Sequence, residues 1–302
     1  MGGTPAGRGA ALPPLSDVIQ RHGLAARKSL GQHFLLDPGI TRRIAEAAAP
    51  LAGREVVEIG PGPGGLTRAL LAGDCRRVQA VELDARCLAA LAELAEAYPG
   101  RLEVTAGDAL TLATWRLGEA PRKLVANLPY NVGTALLLGW LKAIAAEPGC
   151  LESLTLMFQK EVAQRLTAAP RQGAYGRLSV ISQWLCRVEP CFDLPPGAFR
   201  PPPKVVSSVV RLTPRPEPLA PASLAALERV TAAAFGQRRK MLRQSLKGLG
   251  GDPRPLLAAA GLDETARAEE LGVADFCRLA SLLEAGGKGL PGGAGQPKIA
   301  GI

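Results

Sequence analysis

The segment Gly60-Pro61-Gly62-Pro63-Gly64-Gly65 constrains this chain more than any other stretch. It follows a β-branched apolar run, Arg54–Ile59, and precedes a helical pattern over Thr67–Ala72. G-x-G-x-x-G spacing between a strand and a helix commits the chain to a βα unit whose backbone can pass close to a ligand. The same alternation continues downstream. Arg77–Leu83, Leu102–Thr105, Lys123–Ala126 and Leu154–Phe158 read as strands, and Ala85–Ala97 and Val132–Ala146 as helices. Val162–Ala168 and Leu178–Cys186 read as helix or mixed structure, and Val188–Leu194 and Val205–Leu212 as closing strands. Strands alternating with helices predict a mainly parallel sheet with right-handed crossovers.

Thr213–Pro221 interrupts this pattern with four prolines in nine residues, a stiff linker. Beyond it Ser223–Phe235, Lys240–Leu249, Pro255–Ala260, Ala266–Leu271 and Ala274–Ala285 all read as helix, so a small helical domain is expected. The expected organisation is therefore a flexible N-terminal arm over residues 1–25 that includes a short helix, a ligand-binding α/β domain over 26–212, a helical domain over 213–285 and a disordered tail over 286–302.

Composition narrows the class. With 47% hydrophobic residues the chain can build a sizeable core. Its longest apolar run, from Val132 to Leu141, is too short to span a bilayer, and the N-terminal stretch lacks the apolar region of a signal peptide. Six cysteines without a C-x-x-C pair, and only His22 and His33 to join them, give no zinc spacing, so no metal is expected. Buried thiols in a reducing cytoplasm are the simpler reading. The net charge of +9 points to a polyanionic partner.

Two acids and an amide stand where the strand ends should meet the glycine turn. Glu82 closes the second strand, 20 residues after Gly62, where a carboxylate accepts hydrogen bonds from both hydroxyls of a ribose. Asp108 closes the third strand, where an adenine amine can be met; the plain alternative is a turn or N-cap residue. A glycine turn with an acid at the second strand serves NAD(P) and S-adenosylmethionine alike. Asn127-Leu128-Pro129-Tyr130 ends the fourth strand. A dehydrogenase would want a proton relay there, and this segment offers none. An amide oxygen and a backbone carbonyl can instead accept both N–H bonds of an exocyclic amine and free its lone pair, while Pro129 stiffens the loop and Tyr130 stacks on the base.

With these residues in view, the chain resembles the ribosomal RNA small-subunit adenine-N6,N6-dimethyltransferases. The resemblance runs from about Leu24 to Leu283 and rests on ARKSLGQHFLLD (Ala26–Asp37), VVEIGPGPGGLT (Val56–Thr67), VELD, GDAL and NLPY, then MFQKEVAQRL, AYGRLSV, PPGAFRPPPKVVSSVVRL, FGQRRKMLRQSLK and RAEELGVADFCRLA, in that order. It implies a Rossmann-like, seven-stranded S-adenosylmethionine-dependent methyltransferase domain and a small all-helical C-terminal domain. It implies dimethylation of two adjacent adenosines in a loop near the 3′ end of small-subunit (16S) ribosomal RNA, with the small subunit precursor as partner. By the same resemblance Gly60 approaches the cofactor tail, Glu82 holds its ribose and Asp108 meets its adenine. Asn127 and the Leu128 carbonyl hold the target amine, Tyr130 stacks, and Phe199 supplies a second ring against the base. His33, where the family often has Asn, the Leu35 backbone and Asn127 complete the cofactor contacts.

The run Arg238–Lys247 carries five cations and no acid. On one helix Lys240, Arg243 and Lys247 would share a face, with Leu242, Leu246 and Leu249 on another. Arg238, Arg239, Lys240, Arg243 and Lys247, with Lys204 in the Pro201-Pro202-Pro203-Lys204 loop, are the expected RNA contacts. No membrane partner is expected, and a monomer is.

Overall fold

A computed structural model of the chain describes residues 12–26 and 31–287. The chain divides after Pro218 into two compact units, the second of which also takes in Ala169–Gln172.

In the first unit the elements follow in the order α1 (Leu15–Arg21), β1 (Phe34–Leu35), α2 (Pro38–Ala47), β2 (Glu55–Ile59), α3 (Gly65–Ala72), β3 (Arg77–Glu82), α4 (Ala85–Ala97) and β4 (Leu102–Ala106). After these come β5 (Arg122–Asn127), α5 (Gly133–Ala146), β6 (Ser153–Gln159), α6 (Lys160–Thr167), α7 (Arg177–Leu185), β7 (Cys186–Leu194), β8 (Phe199–Arg200) and β9 (Ser207–Pro214). Seven strands form one sheet in the order β4-β3-β2-β5-β6-β9-β7. The first five are parallel, and β9 runs against both β6 and β7. The strand order reverses between β2 and β5. At that switch point the crossovers leave to opposite sides and a crevice opens at the carboxyl ends of the strands. All five residues of β2 are buried, as a central strand covered on both faces requires.

Local chemistry sets the element ends. Asp37 accepts the N–H groups of Gly39 and Ile40 at the start of α2, with Pro38 in the first turn; that helix is absent from the sequence reading although its cap and proline signal it. Asp84 caps α4 through the Arg86 N–H. The strand pair β1–β8, antiparallel with Phe34 opposite Arg200 and Leu35 opposite Phe199, is likewise not foreseen. Two residues on each side are too short for a period to register.

Several expectations are corrected. The arm expected over residues 1–25 is not loose throughout: α1 buries Val18, and Leu24 follows it into a cluster with Cys87, Ala90 and Leu91 of α4. Residues 1–11 of that arm lie outside the described residues. Thr213 and Pro214 belong to β9, opposite Arg187 and Cys186 of β7, so the linker starts later than its composition suggests. Helix α11 (Val273–Gly287) takes in Gly286 and Gly287 of the expected tail; the remainder lies outside the described residues.

The second unit packs α8 (Leu224–Gly236), α9 (Leu242–Ser245), α10 (Arg254–Ala259) and α11 around Leu227, Val230, Leu246, Leu257, Phe276 and Leu279. Ser223 caps α8 through the Ala226 N–H. Ala266–Leu271, expected as helix, holds only a 3-10 turn over Ala268–Glu270. The basic helix expected over Lys240–Leu249 begins only at Leu242. Met241 is extended and bridges Arg267, and the Leu242 and Arg243 N–H groups donate to the Ala266 and Glu264 carbonyls. Those bonds hold the backbone before Leu242 out of the helix. Lys240 therefore shares no helical face with Arg243 and Lys247.

Candidate active site

One cleft opens at the switch point. All six residues expected to contact the cofactor line it, namely His33, Leu35, Gly60, Glu82, Asp108 and Asn127, as do Leu128, Pro129 and Tyr130. Its floor is the glycine turn. Gly60 has φ 66°, and a Cβ there would meet nothing within 4 Å, so the backbone faces open space. Gly62 has φ 57°, and a Cβ there would stand 3.2 Å from the Phe34 ring. Both positions need glycine, the second for conformation and space together.

Glu82 is 5% exposed. Its Oε2 accepts the Gly62 N–H at 2.8 Å and its Oε1 the Asp84 N–H at 2.7 Å. Burial raises its pKa, and the backbone donors pull it back down. The carboxylate thus braces the turn, and each oxygen keeps a further lone pair for a hydroxyl. Asp108 uses Oδ1 to accept the Leu110 N–H at 2.9 Å, so it is a turn residue as well as a wall of the cleft. Leu83 and Leu110, 59% and 48% exposed, flank it with apolar surface suited to a heterocycle.

The opposite wall is a strap, residues 31–35, laid over the strand ends. Gln32 Nε2 donates to Asp84 Oδ2 at 3.0 Å, and His33 Nδ1 donates to the Pro201 carbonyl at 2.7 Å. Asp84 is held down to about 2, chiefly by its bonds to Arg86 and against the opposing effect of burial, with Gln32 adding to the depression. Asn127 Nδ2 donates to the His33 carbonyl at 3.1 Å. With its nitrogen engaged, the amide is left with Oδ1 as its acceptor. Among the described residues no hydrogen bond reaches the Leu128 carbonyl either. The Pro129 carbonyl accepts the N–H groups of Val132 and Gly133 and so fixes the entry to α5. The Tyr130 hydroxyl pairs with Ser207 Oγ at 2.6 Å, and burial raises its pKa. Its ring stands 5.3 Å from that of His33.

Phe199 departs from expectation. It lines no part of the cleft, is 0% exposed and belongs to the main core cluster. Its pairing with Leu35 draws the ring under the strap, edge-on to His33 at 6.5 Å. In this conformation it offers no face to a base and acts as a floor beneath the ring that does line the cleft. Gln32, Asp84, Ser207 and the buried Glu58 are site residues that the sequence reading passed over. Asp84 and Glu58 stand inside motifs already in view, but Gln32, which reaches Asp84, comes from a segment 52 positions away.

The cations of the second unit fall into two groups. Arg238 donates to Glu269 at 2.9 Å and to the Gln172 carbonyl, and Arg243 pairs with Glu264 at 2.9 Å. These two brace the unit, and their charges are partly spent on Glu269 and Glu264. Arg239, Lys240 and Lys247 are exposed and form no ion pair among the described residues. Lys204, in the first unit, is also exposed.

The donor set fits S-adenosylmethionine. A carboxylate with spare lone pairs suits a ribose diol, apolar walls beside Asp108 suit an adenine, and a buried acid oxygen without a partner, on Glu58, suits a cationic ligand. Among the described residues no cluster of His, Cys, Asp and Glu could hold a metal, and no helix is long and apolar enough to cross a membrane.

The family model described as ribosomal RNA adenine dimethylase matches residues 23–285. A ribosomal RNA small subunit methyltransferase A of Rhodospirillum rubrum is 61% identical over 279 residues, covering 92% of this chain and 95% of that protein. The protein of the same name from Paramagnetospirillum magneticum is 62% identical over 274 residues, 91% of this chain and 96% of its own. Among solved structures, a dimethyladenosine transferase from Plasmodium falciparum superposes with a TM-score of 0.69 at 26% identity, covering 85% of this chain and 99% of that one. The 23S rRNA methyltransferase ErmE gives 0.62 at 31% identity, covering 83% and 99%.

Proposed function

This chain belongs to the ribosomal RNA adenine dimethylase family, and from that membership we propose that it dimethylates N6 of two adjacent adenosines near the 3′ end of small-subunit ribosomal RNA. It is an S-adenosylmethionine-dependent rRNA adenine dimethyltransferase. The small subunit is favoured over the large one because relatives near 60% identity are named for the small subunit, whereas the 23S methyltransferase is 31% identical.

The observation that carries the reading is the state of the Asn127 amide. Its Nδ2 is committed to the His33 carbonyl, which leaves Oδ1 as its acceptor, and Asn127 lines the cleft together with Leu128 and Tyr130. In the proposed mechanism these two oxygens accept the two N–H bonds of the target amine. That contact turns the nitrogen lone pair out of the purine ring, where delocalisation makes it a poor nucleophile. Tyr130 holds the base by its face, and the Ser207 bond and Pro129 hold Tyr130. The cofactor, when bound, supplies a methyl group already activated by a sulfonium. The protein's task is then position rather than proton abstraction. Gly60 and the Leu35 backbone border the cofactor, Glu82 takes its ribose, Asp108 its adenine, and His33 completes the wall.

Arg239, Lys240, Lys247 and Lys204 are the proposed phosphate contacts. The enzyme acts as a cytoplasmic monomer on the small subunit precursor. Incubation with labelled S-adenosylmethionine and small subunits lacking the modification, followed by mapping of methylated bases, tests the reading. Two adjacent dimethyladenosines support it. Label confined to large-subunit RNA refutes it.

A further inference from the structure

Glu58, the penultimate residue of β2, lines the cleft beneath the glycine turn and is 1% exposed. Its neighbours on the ladder, Ala80 on β3 and Val125 on β5, are apolar. Its Oε2 is buried and meets no hydrogen-bond partner among the described residues. From α3 the Thr67 hydroxyl lies close enough to favour the ionised carboxyl, yet it too makes no bond of proper geometry. From the end of β3 the charge that acts on Glu58 is a second carboxyl, Glu82. Among the described residues, the other titratable groups lining the cleft are His33, Asp84, Asp108 and Tyr130. Among the described residues, no Lys or Arg lines it.

An ionised carboxyl buried without a cation is costly, and two neighbouring carboxyls do not both ionise cheaply. Glu82 accepts a backbone N–H at each oxygen and is the one stabilised as the anion. The proton therefore stays on Glu58, whose pKa burial pushes up to about 8. A neutral acid that lines a binding cleft and keeps one buried oxygen without a partner among the described residues suits a cationic ligand. S-adenosylmethionine carries two, a sulfonium and an α-ammonium.

We propose that Glu58 is the buried counter-ion for a cationic group of the bound cofactor, and that it releases its proton as the cofactor enters. The inference rests on the reading of the cleft as a cofactor site. In the step the Glu58 O–H bond breaks, the proton passes to solvent and the carboxylate stays against the ligand's positive charge. No methyl group moves. Cofactor affinity then rises with pH through neutrality until Glu58 is ionised in the free protein.

Calorimetry of the full chain at pH 7, in buffers of different ionisation enthalpy, reads proton release separately from binding. Wild type is expected to release a large fraction of one proton, approaching about one, on binding S-adenosylmethionine. Glu58→Gln, which mimics the neutral acid, is expected to release close to none and to bind about tenfold more weakly. S-adenosylhomocysteine keeps the ammonium and lacks the sulfonium, so release with it assigns the ammonium, and release with S-adenosylmethionine alone assigns the sulfonium. 5′-Methylthioadenosine carries neither and should release nothing. Binding of S-adenosylmethionine without proton release by wild type overturns the proposal while leaving the cofactor site intact. Undiminished release by Glu58→Gln, or release with 5′-methylthioadenosine, overturns it as well. No binding at all would instead refute the cofactor site itself.

Discussion

Asn127 Nδ2 donates to the main-chain carbonyl of His33 at 3.1 Å, and that single bond fixes which end of the amide is free. An amide in the opposite orientation would set oxygen against oxygen. The His33 peptide is itself held between the Gln32–Asp84 bond and the bond from His33 Nδ1 to the Pro201 carbonyl. Residues 94 positions apart are thus joined, and in the proposed mechanism the strap helps present the acceptor to a target amine.

Glu82 has two duties, and its removal separates them. Glu82→Ala should weaken S-adenosylmethionine binding by about 1–3 kcal/mol through lost charge-assisted hydrogen bonds. It should also lower the melting temperature, because the Gly62 and Asp84 N–H groups lose their acceptor. Calorimetry with S-adenosylmethionine and with NAD, beside a thermal melt, checks both. Tight NAD binding without S-adenosylmethionine binding would contradict the assignment.

At Tyr130 the ring face should matter more than the hydroxyl. Tyr130→Ala should lose about 1–3 kcal/mol of stacking on the base. Tyr130→Phe keeps the face and loses only the bond to Ser207. Single-turnover rates of the two variants should differ by about fivefold or more for a difference of that size. Equal losses would assign the role to the hydroxyl.

The unpaired cations should set the salt dependence of RNA binding. Each phosphate contact contributes about 0.7–0.9 to the log–log slope, so replacing Arg239, Lys240 and Lys247 with Ala should reduce it by about 2–3. Arg238→Ala and Arg243→Ala remove partners of Glu269 and Glu264. Those two should act on stability, by at most about 1 kcal/mol each for half-exposed pairs, with little change in slope. RNA titrations at several salt concentrations distinguish the groups. An unchanged slope in the triple variant would return these side chains to solvent.

Glu58 also predicts a pH dependence of folding. Its pKa is raised from 4.5 to about 8 in the folded chain, so between those values the folded state holds a proton that the unfolded state has released. Stability linked to that proton is fully present below pH 4.5 and is lost as pH rises through about 8. Urea denaturation at pH 5 and pH 8 should show Glu58→Gln gaining on wild type as pH rises. Parallel behaviour at both pH values would contradict the shift.

The alternating pattern made the sheet legible because each central strand is buried on both faces, as β2 is, and reads as an uninterrupted apolar run around its acids. Gly62, Glu82 and Asn127 were legible because switch-point chemistry is written in short motifs at strand ends. What stayed hidden depends on pairings distant in sequence. The β1–β8 ladder buries Phe199, whose motif alone suggests an available ring. The Met241–Arg267 bridge delays a helix whose periodicity looks continuous from Lys240. Arg238 and Arg243 look like part of a free basic stripe until Glu269 and Glu264 fold against them.

Single-turnover methyl transfer by Asn127→Ala, with S-adenosylmethionine affinity measured on the same preparation, tests the role of the amide most directly. The account predicts a rate lower by about 10²–10³, as for loss of one positioned hydrogen-bonding group, with cofactor affinity changed by less than about tenfold. A variant that transfers methyl groups within about a factor of two of wild type would remove Asn127 from the mechanism, because a group acting on the reacting amine cannot be lost so cheaply.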